Sequence, residues 1–204
     1  MTKDQLIYLV MTSLNSDDVP AKKKGTIHRG DIERHLELAY SDICREVYNN
    51  AVYYRDYGPL DSMTKPFSDV SVVLDTSRGE RYSILPVMPV PLPNNAGIRM
   101  IHSQCDQHLT IYYRPNNNIN TIDELDVFVT GDDLFTYYVE GNRVWYDGFE
   151  GDKVSMKIVP SFSQYDDDDV VPLVGGYEGR AFDMVMQRIL GKGDQPEVTN
   201  QSQQ

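Results

Sequence analysis

The apolar period of this chain changes from helical to strand near residue 58, and that change governs the architecture. From about residue 29 to 50, Ile32, Leu36, Ala39, Ile43 and Val47 recur at steps of four, three, four and four. That spacing lines one face of a helix of about five to six turns. The stretch "YYRDYGPLDSMTKPF" then breaks the register with Gly58, Pro59 and Pro66, and beyond it apolar residues fall at strand period. Residues 71–75 and 80–85 flank "TSRG", which predicts a hairpin turn. Further strands are predicted at 98–102, 109–114, 134–140, 142–146 and 154–160. The last three read as a meander joined by Glu140-Gly141-Asn142 and by the turn at 148–152. Between them "LPVMPVPLP" lacks the donors for a regular ladder and reads as an extended linker or sheet edge.

Both ends of the chain return to helix. Thr2, Lys3, Asp4 and Gln5 have capping-box form, and Leu6, Leu9, Val10 and Leu14 follow at helical spacing, which predicts a helix over 3–15. "SDDVPAKKKG" is a connector. "GGYEGRAFDMVMQRILGKG" predicts a last helix with Phe182, Val185, Met186 and Ile189 on one stripe and Gly191 as its stop. The expected fold is α+β: a helical base of two N-terminal helices plus a C-terminal helix, carrying a β-rich lobe. Its segments are 1–57 helical, 58–174 the lobe, 175–191 the C-terminal helix packed on the base, and 192–204 a flexible polar tail with too little apolar surface to fold alone.

Composition narrows the function classes. Fourteen tyrosines against the single Trp145 lean much of the chain toward sheet. Cys44 and Cys105 lie far apart without CxxC or Cys/His spacing, so they read as reduced thiols and exclude a zinc motif. The first residues lack the pattern of a secretion signal, and no apolar run approaches the roughly 20 residues that span a bilayer, so a soluble protein made in the cytoplasm is expected, with no membrane partner. The net charge is −12, and residues 121–170 hold thirteen Asp and Glu against Arg143, Lys153 and Lys157. That balance of −10 leaves only −2 on the other 154 residues. Such a surface repels polyanions instead of binding them.

The candidate chemistry is sparse. Asp166, Asp167, Asp168 and Asp169 form "DDDD", without the alternating ligands, glycine and distal glutamate of a Ca²⁺ loop. Adjacent carboxylates repel one another and favour a solvated loop suited to repulsion or salt-dependent docking. His28, His35, His102 and His108 form no HExxH or HxH pattern, and no GxSxG elbow is present. "GDD" at 131–133 reads as a β-turn, and Gly175-Gly176 with Gly179 as a hinge before the last helix, not as a phosphate loop. Lys22, Lys23 and Lys24 are the one basic patch, a candidate docking surface for acidic segments. Tyr53, Tyr54 and Tyr57 are candidate interface aromatics, with core packing under the lobe the equal alternative. No metal, cofactor or catalytic group is expected.

The order of elements, with "GDIERHLELAYSDICREVYNN", "YSILPVMPVPLPNNAGIRMI", "DDDDVVPLVGGYEGRAFDMVMQRILG" and the tail "DQPEVTNQSQQ", resembles the neck proteins of tailed bacteriophages, in particular the ring proteins of crAss-like phages. The resemblance implies a non-enzymatic head-to-tail adaptor in the virion. Its subunits, typically twelve, close into a ring between portal and tail, touch the portal and other neck or tail proteins, and let genomic DNA pass without specific binding. Negative walls would then favour sliding. In such an assembly contacts with a neighbouring ring offset the lost entropy, so the polar tail 192–204 is expected to order only there. Two other readings stand beside it: a non-viral β-rich binding module, and a divalent-metal nuclease or hydrolase using Asp132, Asp133 and the 166–169 run.

Overall fold

The computed structural model describes residues 1–15, 27–104, 109–114, 135–173 and 176–191. The chain is α+β, and it divides into two compact units, 1–43 with 165–204 and 44–164. The division falls inside the long helix and just before the aspartate run, where the sequence reading placed its boundaries at 57/58 and 174/175.

In the first unit, α1 (Lys3–Leu14) starts on the expected capping box: Thr2 Oγ1 accepts from Gln5 N, and the Gln5 side chain accepts from Thr2 N. Leu6, Ile7, Val10 and Leu14 are its buried face. Helix α2 (Arg29–Tyr54) runs four residues past the predicted end, because Ala51 continues the step of four from Val47 and both are buried. The last helix, α4 (Tyr177–Leu190), begins after Gly176 at φ 90° and stops at Gly191 at φ 77°. It packs on α1, and Arg188 ties it to α2 through Asp42 and the His35 carbonyl. Its buried line runs through Ala181 and Val185, with Phe182, Met186 and Ile189 half-buried beside it. The predicted stripe is therefore turned by part of a helical step. The lysine triplet, Cys105, His108, "GDD", Gly175 and the polar tail lie outside the described residues.

The second unit contains a one-turn helix α3 (Gly58–Asp61) and eight strands: β1 (Lys65–Ser71), β2 (Val73–Asp75), β3 (Glu80–Ile84), β4 (Ile98–Ser103), β5 (Tyr112–Tyr113), β6 (Thr136–Glu140), β7 (Arg143–Asp147) and β8 (Lys153–Ile158). They form two sheets, β1-β8-β4 and β2-β3-β7-β6-β5. Three predicted features differ. The segment read only as a break contains β1, which tolerates Pro66 because it lies at a sheet margin. The predicted meander stops after β7: β8 crosses to the other sheet and sits between β1 and β4. The turn that carries the crossing places Phe149 in the core, close against Gly151. The strand expected over 109–114 is split, since residues 109–111 bond to β4 whereas β5 pairs with β6 in parallel.

That splitting joins the sheets at one margin, and the continuous run from β1 through Val72 into β2 joins them at the other. The strands thus wrap as a flattened barrel around one core. Ile98, Ile101, Val154, Met156 and Ile158 from one sheet meet Tyr137, Val144 and Tyr146 from the other. The proline-rich segment is extended, as predicted. It lies along the residues after β8, with Val90 N donating to Val159 O and Ser161 N to Met88 O, and buries Val90 and Leu92.

Gly97 makes this close approach feasible, because a Cβ there would sit 2.4 Å from the Val90 carbonyl oxygen and 3.0 Å from Pro89 Cβ. The obstacle is backbone and cannot rotate away. Gly97→Ala is expected to cost about 2–3 kcal/mol in urea unfolding by overpacking. A cost below about 0.5 kcal/mol would mean that the segment is held more loosely.

Candidate functional site

The aspartate run occupies a loop pinned at both ends. On one side Tyr165 is buried, its hydroxyl 3.3 Å from that of Tyr40 and its ring edge-on to the Tyr40 ring. On the other, Val171 is buried and donates its N–H to Met1 O. Between these anchors the main chain turns inward: Asp167 O accepts from Asp4 N at 3.0 Å, and Asp169 O from Lys3 N at 3.1 Å. These are first-turn N–H groups of α1, which have no partner within their own helix. The loop therefore caps α1 with its carbonyls, and its carboxylates suit the positive end of the helix dipole.

The side chains point the other way. Asp166, Asp167 and Asp168 are exposed and Asp169 half-buried. Arg29, the first residue of α2, reaches three carboxylates: Asp167 at 2.6 Å, Asp4 at 2.8 Å and Glu33 at 3.0 Å. Those bonds, with Glu33 and then Asp4 foremost, raise the guanidinium pKa above its ordinary value. One cation for three anions leaves the neighbourhood negative. Asp166 and Asp168 form no ion pair among the described residues. The described residues also contain no group of three or more His, Cys, Asp or Glu placed to hold a metal ion.

Beside this rim, α1 leaves an open apolar groove of about 460 Å³, lined among the described residues by Met1, Asp4, Gln5, Tyr8, Leu9 and Thr12. No local pattern announces it, because the exposed Tyr8 and Leu9 stand within an ordinary amphipathic helix.

The candidate aromatics fall into two settings. Tyr53 and Tyr54, in the last turn of α2, are 80% and 72% exposed and meet edge to face at 4.8 Å, so they are surface groups and not core. Tyr57 instead lies under the Arg99 guanidinium at 4.8 Å, and Arg99 also bonds Asp61 at 2.8 Å. Tyr57 and Arg99 belong to a concavity of about 340 Å³ that is also lined by Tyr48, Tyr112, Tyr113 and Tyr137. These tyrosines come from four separate stretches of sequence, so no local motif announced them.

Among the described residues the histidines join no group that could hold a metal ion. His28 O accepts from Asp31 N at the start of α2, and His102 Nδ1 lies 3.4 Å from Thr110 Oγ1. Cys44 is buried. No described helix is long and apolar enough to cross a membrane.

Fold and surfaces together define an α+β chain of a helical unit and a β-rich unit, with an exposed acidic loop on the first and a tyrosine-lined concavity on the second. No protein-family model and no curated protein matches it.

Proposed function

We propose that this chain is a structural subunit of a tailed-phage virion, a head-to-tail adaptor whose copies close into a neck ring linking portal and tail. It performs no bond chemistry and uses no cofactor in this role. The observation that carries the reading is the anchored acidic loop. Its backbone is fixed on α1, so its carboxylates are presented at a set place as a negative surface. A negative wall repels phosphate and lets genomic DNA pass without being gripped. The resemblance to phage neck proteins supports the same assignment, and a ring of identical copies requires unlike faces that match in sequence around the circle.

The test is an image of the intact particle in which this subunit carries a label. Label density in a ring beneath the portal is the expected result, and density on the capsid shell or on fibres overturns the reading. A second reading, a β-rich binding module outside any virion, draws on the tyrosine-lined concavity of the barrel unit. It predicts a chain that works as a monomer.

A further inference from the structure

We propose that the groove on α1 of one copy receives Tyr53, Tyr54 and Arg55 of a second copy, giving the ring its repeating contact. The inference rests on the neck-ring reading and specifies the surfaces such a ring would use.

Three observations carry it. First, the groove is open and mostly apolar, and of the residues lining it Tyr8 is 69% exposed and Leu9 is also exposed. Second, the end of α2 supplies the matching convex element, two neighbouring exposed rings already held edge to face. Tyrosine and arginine are enriched among the residues that carry binding energy at protein interfaces, tyrosine because it buries a large area at small entropic cost and arginine because its guanidinium pairs and stacks.

Third, the charges are complementary. Arg55 is exposed, stands in a left-handed turn at φ 55° and has no ion pair among the described residues. Asp4 lines the groove and shares Arg29 with Glu33 and Asp167, so the groove's rim is short of positive charge. An incoming Arg55 supplies it. The two surfaces are unlike, so each copy offers one groove and one aromatic pair, and the contact propagates head to tail as ring closure requires.

The test compares self-association of the full-length chain, the variant Y53A/Y54A and the variant Y8D/L9D by sedimentation velocity up to millimolar concentration. Circular dichroism checks that each is folded. The intact chain is expected to form higher oligomers, and each variant alone to associate at least about tenfold more weakly. A mixture of the two variants keeps one good groove and one good aromatic pair, so it is expected to form heterodimers and nothing larger. Added salt is expected to weaken the intact contact, and R55E to weaken it further. If the intact chain oligomerises and Y53A/Y54A does so equally, or if the mixture gives no heterodimer, the interface is wrong while the ring reading survives. An intact chain that stays monomeric throughout overturns both. The Tyr8 and Leu9 changes lie at exposed positions, and should Y8D/L9D fail to fold, Y8A serves in its place.

Discussion

Raising the pH through 10 is expected to unfold the barrel unit steeply. Tyr137 and Tyr146 are both buried in its core, and burial is the main reason that each phenol is pushed far above its ordinary value. For Tyr137 the neighbouring Tyr113 and Tyr146 add to the effect. For Tyr146 the 2.6 Å contact with the Ser83 hydroxyl works against it. The direction of the pH effect follows from where the proton is held. A phenol whose folded pKa exceeds its unfolded value of roughly 10 stabilises the fold fully below that pH. Its contribution is lost as pH rises further, because the unfolded chain ionises first. Each such group costs about 1.4 kcal/mol per pH unit, so two together cost nearly 3 kcal/mol per unit above roughly pH 10. Tyr138, pushed up to about 12 by burial and its bond to Glu80, acts in the same direction. Denaturant melts across this range, followed by tyrosinate absorbance, measure the slope. Y146F is expected to reduce it by about one proton, and a flat profile in the parent chain would show that these phenols are not sealed from water.

Trp145→Ala is expected to be the most damaging single truncation, at about 3–5 kcal/mol. Trp145 lies in a row across three strands, paired with Tyr82 on β3 and Tyr138 on β6. Tyr82 packs at 5.0 Å and Tyr138 stacks at 6.3 Å with an interplanar angle of 12°. The guanidinium of Arg78 lies 4.5 Å from the indole centroid and that of Arg143 at 5.9 Å, leaving the residue 1% exposed. Truncation removes the shared platform of two cations as well as the buried area. The indole Nε1 finds no acceptor among the described residues, so W145F sacrifices no hydrogen bond and is expected to keep most of the stability. Urea midpoints of both variants decide this. A loss below about 1 kcal/mol for W145A would mean that the two arginines close over the gap.

Much of the fold was legible because its signals are local. The capping box at Thr2 and the step-four line of α2 are read from neighbours a few residues apart, and both helices form where those signals lie. The two-residue turn Gly141-Asn142, with Gly141 at φ 64°, joins β6 and β7 as its composition predicts. What sequence could not deliver is partner choice. β8 has the pattern of a third meander strand, and nothing in its own residues says that it pairs with β1 and β4. Pro66 hid β1, since the feature that marks a break also suits a sheet margin.

The candidate site divides along the same line. Repulsion among adjacent carboxylates was enough to foresee that Asp166, Asp167 and Asp168 stand in water. The capping of α1 by the same loop joins residues more than 150 positions apart and left no trace in the local pattern. The tyrosine run at 53–57 was ambiguous between core and surface. The structure separates it, with Tyr53 and Tyr54 at the open end of α2 and Tyr57 beneath Arg99.

The splicing of the two sheets at both margins has a bearing on crowding. At high concentration an open strand edge can zip onto that of another chain, and sheets spliced at their margins offer it little purchase. Any contact made by this unit is thereby left to side chains, which can be retuned one at a time without unravelling the wall that carries them.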